Sequence, residues 1–297
     1  MPGKMGVVDL TLTPISAVCN RNQLITMYRE FYKLREAPFN VTSDPGFLFL
    51  SATHLAALDH LRYGIEQRKG FLAITGEIGA GKTTLCRALI NRLDSNIKVA
   101  LILNAVLPEI QLLEAIVEDF GLTPGKHTKG ALIKQVNHFL LEQLSQGNNA
   151  VLIIDEAQNM RSSALETVRM LSNLETEKEK LLQIVLVGQP QLRDKLNAPE
   201  LVQLKQRIAV RFHIRALNEQ EVTAYLNHRL QVAGSTGVIV FSESAIKAIY
   251  KHSKGIPRLI NILADKALLM GFVKETFTLD HDHIQACIRE LEGEQLA

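Results

Sequence analysis

The sequence predicts an α/β fold, a parallel sheet covered by helices on both faces, followed by a smaller helical part. Two observations carry this. Between Phe71 and Ile214, short apolar runs of strand length alternate with helical stretches, the pattern of strands buried on both faces. After Arg215 the strand signals nearly vanish and helical segments follow one another.

The elements follow in order. Phe71–Thr75 is an apolar run ending in a glycine loop, and Lys82–Leu93 after it has helical character. Val99–Leu103 is a second strand. Ile110, Leu113, Ile116, Val117 and Phe120 recur at i, i+3, i+4 spacing and mark an amphipathic helix, stopped by Gly121. Pro124-Gly125 marks the loop beyond it. A further helix covers roughly Leu132–Leu144 and ends at Gly147-Asn148-Asn149. Ala150–Ile154 is the third strand, Ser162–Leu174 a helix, and Leu182–Val187 the fourth strand. Ile208, Val210, Phe212 and Ile214 alternate with Ala209, Arg211 and His213, which predicts a half-buried fifth strand.

In the C-terminal part, Asn218 and Glu221 have the spacing of a capping box and open a helix to about Ala233. Ser242-Glu243 opens another to about His252. Ile256–Phe272 and His281–Leu291 are helical, with the short run Thr276–Leu279 between them. The chain therefore divides near residue 216 into a core over 27–216 and a helical domain over 217–297. Residues 1–26 carry only Lys4, Asp9 and Arg21 as charges and show no periodicity. They read as a leader outside both domains, of a kind usually disordered.

Composition narrows the function classes. Of 297 residues, 46% are hydrophobic and 22% charged, which excludes a disordered or collagen-like chain. Lys and Arg total 33 against 31 Asp and Glu, a net charge of +2, so nothing in the overall balance argues for a dedicated nucleic-acid or membrane-surface binder. Cys19, Cys86 and Cys287 form no C-x-x-C pair and suggest neither a disulfide framework nor a zinc site. Tryptophan is absent and aromatics are 5%, poor material for base-stacking platforms. No apolar run approaches the roughly 18 residues needed to cross a bilayer.

Two motifs carry chemistry. Gly76-Glu77-Ile78-Gly79-Ala80-Gly81-Lys82-Thr83 fits G-x-x-x-x-G-K-[ST], between a strand and a helix as that motif requires. Its glycines let backbone N–H groups close around phosphate oxygens at a helix N-terminus, where the dipole favours anions. Lys82 can reach the β- and γ-phosphates, Thr83 is placed to ligate magnesium, and Thr84 follows in the same turn. The second motif is Asp155-Glu156, delivered by an apolar strand to the sheet edge where open α/β sheets bind ligands. Asp155 would hold magnesium, directly or through water, and Glu156 would orient and deprotonate an attacking water. That second carboxylate argues for hydrolysis beyond nucleotide binding.

The phosphate loop, the acidic pair and the helical C-terminal part together look like an AAA+ ATPase. Ala37-Pro38-Phe39, Gly76–Leu85, Leu174-Glu-Thr-Glu177, Val187-Gly-Gln-Pro190, Gln206-Arg-Ile208 and Gly255-Ile-Pro-Arg-Leu-Ile-Asn261 resemble the general secretion pathway protein A family (ExeA-type). The similarity spans about Tyr28–Leu291. It points to the family's short members of the mannose-sensitive haemagglutinin pilus type, which lack a membrane span and a peptidoglycan-binding domain. Transposition ATPases of the TniB and TnsC type are more distant kin.

The resemblance implies a five-stranded P-loop sheet in the order 5-1-4-3-2, ATP and Mg2+ as ligands, and a C-terminal helical lid. Gln189 matches sensor 1, where many relatives have Asn. Arg258 matches sensor 2, and Arg207 matches the arginine finger acting on a neighbouring subunit, with Arg211 and Arg215 on the same strand as competitors. Adenine would sit between Pro38-Phe39 and Ile256-Pro257, with plain core packing as the alternative. His213 reads as a surface residue, and His281 and His283 beside Asp282 are a poor metal site. The implied partners are further copies of the chain and an envelope-assembly protein, on the cytoplasmic side and peripheral to the inner membrane through that partner. A DNA-associated regulator of the transposition type is the alternative function.

Overall fold

The computed structural model of the chain describes residues 27–42, 44–177 and 179–293. The leader read over 1–26, with Cys19, lies outside the described residues. The described chain falls into two units, one formed by Thr42–Glu221 with Lys254–Leu259, the other by the N-terminal stretch through Val41, Val222–Ser253 and the residues from Ile260 on.

The first unit is built on five parallel strands. They are β1 (Phe71–Gly76), β2 (Ile97–Ile102), β3 (Asn149–Ile154), β4 (Gln183–Gly188) and β5 (Ile208–Ile214). Their spatial order is β2-β3-β4-β1-β5, which is the expected 5-1-4-3-2. The strand period of two sorts the apolar residues onto the two faces. Phe71, Ala73, Leu152, Ile154, Ile184 and Leu186 form one buried cluster with α3 (Glu109–Asp119), α4 (Lys129–Ser145) and α5 (Ser162–Leu171). Leu72, Ile74, Val151, Ile153, Val185 and Val187 pack on the other face against α1 (Ala52–Glu66) and α2 (Lys82–Ile90). Each such aliphatic side chain contributes about 1.5–3 kcal/mol by leaving water. That is why β1, β3 and β4 read as unbroken apolar runs, while edge strand β5 alternates.

The other edge strand, β2, would leave N–H groups open to pairing with a second chain. Asp119, the last residue of α3, accepts one of them, the Leu101 N–H, at 2.5 Å.

Several sequence expectations shift here. The helix from Ser162 stops at Leu171 rather than Leu174, and Glu175 pairs with Lys180 in a short antiparallel bridge. Two short helices escaped the periodicity, α6 (Pro190–Leu196) and α7 (Val202–Arg207), each too short to display an apolar stripe. Arg207, expected on the fifth strand, is the last residue of α7, whereas Arg211 lies on β5 and Arg215 just past its end.

The second unit contains α8 (Glu219–Val232) from Val222 on, α9 (Glu243–Ser253), α10 (Pro257–Val273) from Ile260 on, and α11 (His281–Leu291). The run Thr276–Leu279 supplies β7 (Thr278–Leu279), which pairs in parallel with β6 (Val240–Phe241). The N-terminal stretch through Val41 belongs to this unit. Tyr28 donates to Asp265 Oδ1 at 2.9 Å, and the Tyr32 hydroxyl meets the Thr276 carbonyl at 3.0 Å. Both rings are about 1% exposed, and burial pushes the Tyr32 phenol up to about 12. Phe39 is equally buried and meets Phe241 edge-on, which is the core-packing reading of that ring.

Candidate phosphate-binding site

The parallel register brings the functional segments to one edge of the sheet. Ile102 pairs with Ile154, Ile154 with Leu186, and Thr75 with Gly188. The phosphate loop, Asp155 and Gln189 therefore emerge side by side at the C-terminal ends of β1, β3 and β4, the ligand-binding edge of open α/β sheets.

The loop has the backbone that its glycines permit. Gly79 and Gly81 have φ of +79° and +87°, where a Cβ is strained, and Gly81 is the N-cap of α2. A Cβ on Gly79 would also come within 2.5 Å of the Arg258 Cβ. Arg258 is the second residue of α10, and its N–H donates to the Gly79 carbonyl at 3.3 Å. The residue matched to sensor 2 thus abuts the loop, with its side chain exposed.

Lys82 is 5% exposed, and its ammonium donates to the Gly76 and Glu77 carbonyls at 2.9 Å each. Burial lowers its pKa, while Glu156, Asp155 and Glu77 act in the opposite direction. These loop carbonyls stand in for the acceptors that a phosphate would supply. Thr83 donates its hydroxyl to Asp155 Oδ2 at 2.5 Å. A hydroxyl beside a buried carboxylate suits a hard divalent cation that takes oxygen ligands and keeps several waters. Among the described residues no group of three or more His, Cys, Asp or Glu side chains could hold a metal on its own. His283 instead closes a capping box with Asp280, and exposed His213 pairs with the Thr75 hydroxyl at 3.0 Å.

Glu156 has φ 52°, a left-handed conformation that costs a non-glycine residue about 1–2 kcal/mol. Its N–H donates to Asp155 Oδ1 at 2.8 Å, which fixes the turn between the two carboxylates. Glu156 Oε2 accepts from Gln189 Nε2 at 3.0 Å. The expected water-activating and sensor 1 residues are therefore in direct contact. Arg207 lies elsewhere: exposed, it donates to Ser172 Oγ at 3.0 Å and to Asn173 Oδ1. Arg211 donates to the Lys205 carbonyl.

A strand, a glycine loop opening a helix, and an acidic pair two strands away make up the core of a nucleotide-binding domain, and a family described as AAA domain matches residues 65–196. Over those residues the fold is that of a P-loop AAA domain. The matched stretch holds the loop, the acidic pair and Gln189, and ends before Arg207 and Arg258. The chain is 41% identical over 268 residues to general secretion pathway protein A of Aeromonas hydrophila, covering 90% of this chain and 49% of that relative. It thus spans about half the length of that curated relative. Two solved structures share its fold. Pyrobaculum aerophilum Cdc6p has a TM-score of 0.65 at 14% identity, over 82% of this chain and 70% of that one. Aeropyrum pernix ORC2, in its ADPNP–ADP complexes, has a TM-score of 0.59 at 18% identity, over 82% and 68%.

Two polar residues at this edge were missed by sequence reasoning. His54, 3% exposed, places Nε2 3.0 Å from the Ala80 carbonyl oxygen and Nδ1 2.7 Å from Ser51 Oγ. Gln158, two residues past Glu156, donates from Nε2 to Glu156 Oε2 at 2.5 Å and accepts the Gln189 N–H on Oε1 at 3.0 Å. A usable signal existed for His54, since Ser51-x-x-His54 has the spacing of a helix start. Gln158 had only its nearness to the acidic pair.

Proposed function

We propose that the chain binds ATP with magnesium and hydrolyses it, and that it works as a homo-oligomer in assembly of a secretion-type machine of the cell envelope. The observation that carries hydrolysis is the Glu156–Gln189 contact beside the Thr83–Asp155 pair, which joins a base to a phosphate-sensing amide. In this reading residues 76–84 cradle the phosphates. Lys82 exchanges the Gly76 and Glu77 carbonyls for β- and γ-phosphate oxygens as nucleotide enters. Thr83 and Asp155 hold magnesium, which when bound neutralises charge building on the phosphates. Glu156 takes the proton from the attacking water. Gln189 contacts the γ-phosphate or that water, and Arg258 carries the nucleotide state to the lid.

Arg207 serves as the finger in a neighbouring subunit's site, and its exposure at the end of α7 suits that role. The likeness to general secretion pathway protein A supports the envelope pathway. No helix among the described residues is long and apolar enough to cross a membrane, which fits work beside the inner membrane through a partner. In this reading the helical part that follows residue 216 is the lid.

The test is Glu156→Gln. Turnover should fall about 10²–10⁴-fold while ATP binding persists, and added duplex DNA should leave the parent's rate unchanged. A parent protein without turnover, or a variant as fast as the parent, defeats the hydrolytic reading.

A further inference from the structure

We propose that Gln158 is a positioning residue that holds the Glu156 carboxylate in register with the end of β4, so that it stays aimed when Gln189 turns to the phosphate. The inference deepens the hydrolytic reading and rests on it.

The Glu156 carboxylate needs an external hold. Its backbone sits in a left-handed turn before the 3₁₀ turn Ala157–Asn159, so no regular helix or strand sets its direction. Gln189 and Gln158 both donate to the same oxygen, Oε2. Turning the Gln189 amide toward a γ-phosphate swings Nε2, with both of its N–H groups, away from Oε2. Gln158 then remains as the clamp.

The orientation of the Gln158 amide is determined. Its nitrogen end faces a carboxylate oxygen and its oxygen end faces the Gln189 N–H, so a flip would set acceptor against acceptor and donor against donor. Its own carbonyl accepts from Lys195 Nζ of α6 at 3.0 Å, which anchors the turn beneath it. Gly188, the last residue of β4, makes room. A Cβ there would lie 2.6 Å from Gln158 Oε1. Gly188 has no positive φ, so what glycine supplies at this position is space, for that amide and for Leu192, whose Cδ2 and Cβ would lie 3.0 and 3.1 Å from the same Cβ.

The experiment measures ATP turnover and ATP affinity for Gln158→Ala, Gln158→Glu and Gly188→Ala, with Glu156→Gln as reference. Gln158→Ala should lower kcat about 10–100-fold and leave ATP affinity within about twofold, the pattern of a contact needed in the transition state. Gln158→Glu keeps the size and the tie to the Gln189 N–H but sets a carboxylate against Glu156. The donor that holds Oε2 is lost, so kcat should fall at least as far as in Gln158→Ala while ATP affinity stays within about twofold. The other charges nearby, Asp155 in the same turn, Lys82 from α2 and Lys195 from α6, are the same in all variants. Gly188→Ala pushes Gln158 Oε1 aside, crowds Leu192 as well, and should lower kcat in the same direction as Gln158→Ala. If Gln158→Ala fails to fold, the isosteric Gln158→Glu carries the test.

Parental kcat in the Gln158 variants, with Glu156→Gln inactive, overturns the positioning role alone. A fully active Glu156→Gln overturns the hydrolytic reading and this inference with it.

Discussion

His54 Nε2 lies 3.0 Å from the carbonyl oxygen of Ala80, so the first turn of α1 is tied to the middle of the phosphate loop. The neutral ring satisfies both ends, with Nε2–H donating to Ala80 and Nδ1 accepting from the Ser51 hydroxyl. The loop's shape is therefore set by its glycines and by a buried imidazole 26 residues upstream.

His54→Ala should destabilise the protein by about 1–3 kcal/mol, because it leaves a buried carbonyl without its donor. Urea titration measures this. Burial holds the His54 pKa below 6.5 in the folded protein. The unfolded chain then binds the extra proton first, so its contribution is present above pH 6.5 and is lost as pH falls below that value. Stability of His54→Ala should be less sensitive to pH than the parent's in that window.

A second prediction concerns the N-terminal stretch. Arg229 is 6% exposed and donates to the Pro38 carbonyl, to the Asn40 carbonyl at 2.9 Å and to the Tyr225 hydroxyl at 3.4 Å. One planar guanidinium bridges two carbonyls that a lysine ammonium cannot reach together. Arg229→Lys should therefore speed hydrogen exchange at the Arg35 N–H, which bonds to the Ala233 carbonyl, by about tenfold or more, while leaving β3 and β4 protected. Equal acceleration in the sheet would refute this.

Gly255 offers a third. Its φ is +76°, and a Cβ would stand 1.8 Å from the Leu217 carbonyl oxygen, whose residue also donates its N–H to Gly255. Gly237, at φ +88°, has nothing within 4 Å of the same imaginary atom. Gly237→Ala should cost only the strain of the backbone, about 1–2 kcal/mol. Gly255→Ala should cost clearly more, since rigid backbone must also move. Similar losses for both in urea titration would show that the Leu217 contact yields easily.

What could be read from the sequence follows one physical division. Wherever burial acts on a whole face, as in Ala150–Ile154 or Leu182–Val187, the apolar run declares the strand, and strand order follows once the phosphate loop is recognised. Gly79, Gly81, Lys82 and Asp155 are legible because phosphate chemistry demands those residue types at that spacing. His54, Gln158 and Arg229 act by single long-range hydrogen bonds that leave no periodic mark. Likewise Pro38–Asn40 look like part of a linker to the core, yet a buried arginine from a distant helix binds their carbonyls. The short helix α7 concealed the setting of Arg207, since six residues make less than two turns.

That setting gives the last prediction. Arg207 is engaged within its own chain, with Ser172 Oγ and Asn173 Oδ1 at the end of α5. If it serves a neighbour's site, Arg207→Ala should bind ATP normally and lose turnover, and its own Glu156 should stay intact and unused. Glu156→Gln fails for the opposite reason, with its finger intact. Mixing the two inactive proteins pairs an intact Glu156 with an intact Arg207 across some interfaces, so turnover should reappear on mixing and rise with total concentration. A strand residue would be equally exposed, so Arg211→Ala is the control and should retain turnover alone. Failure of the mixture to recover, with both variants still assembling, would return Arg207 to its contacts with Ser172 and Asn173 as a fastener between α7 and α5.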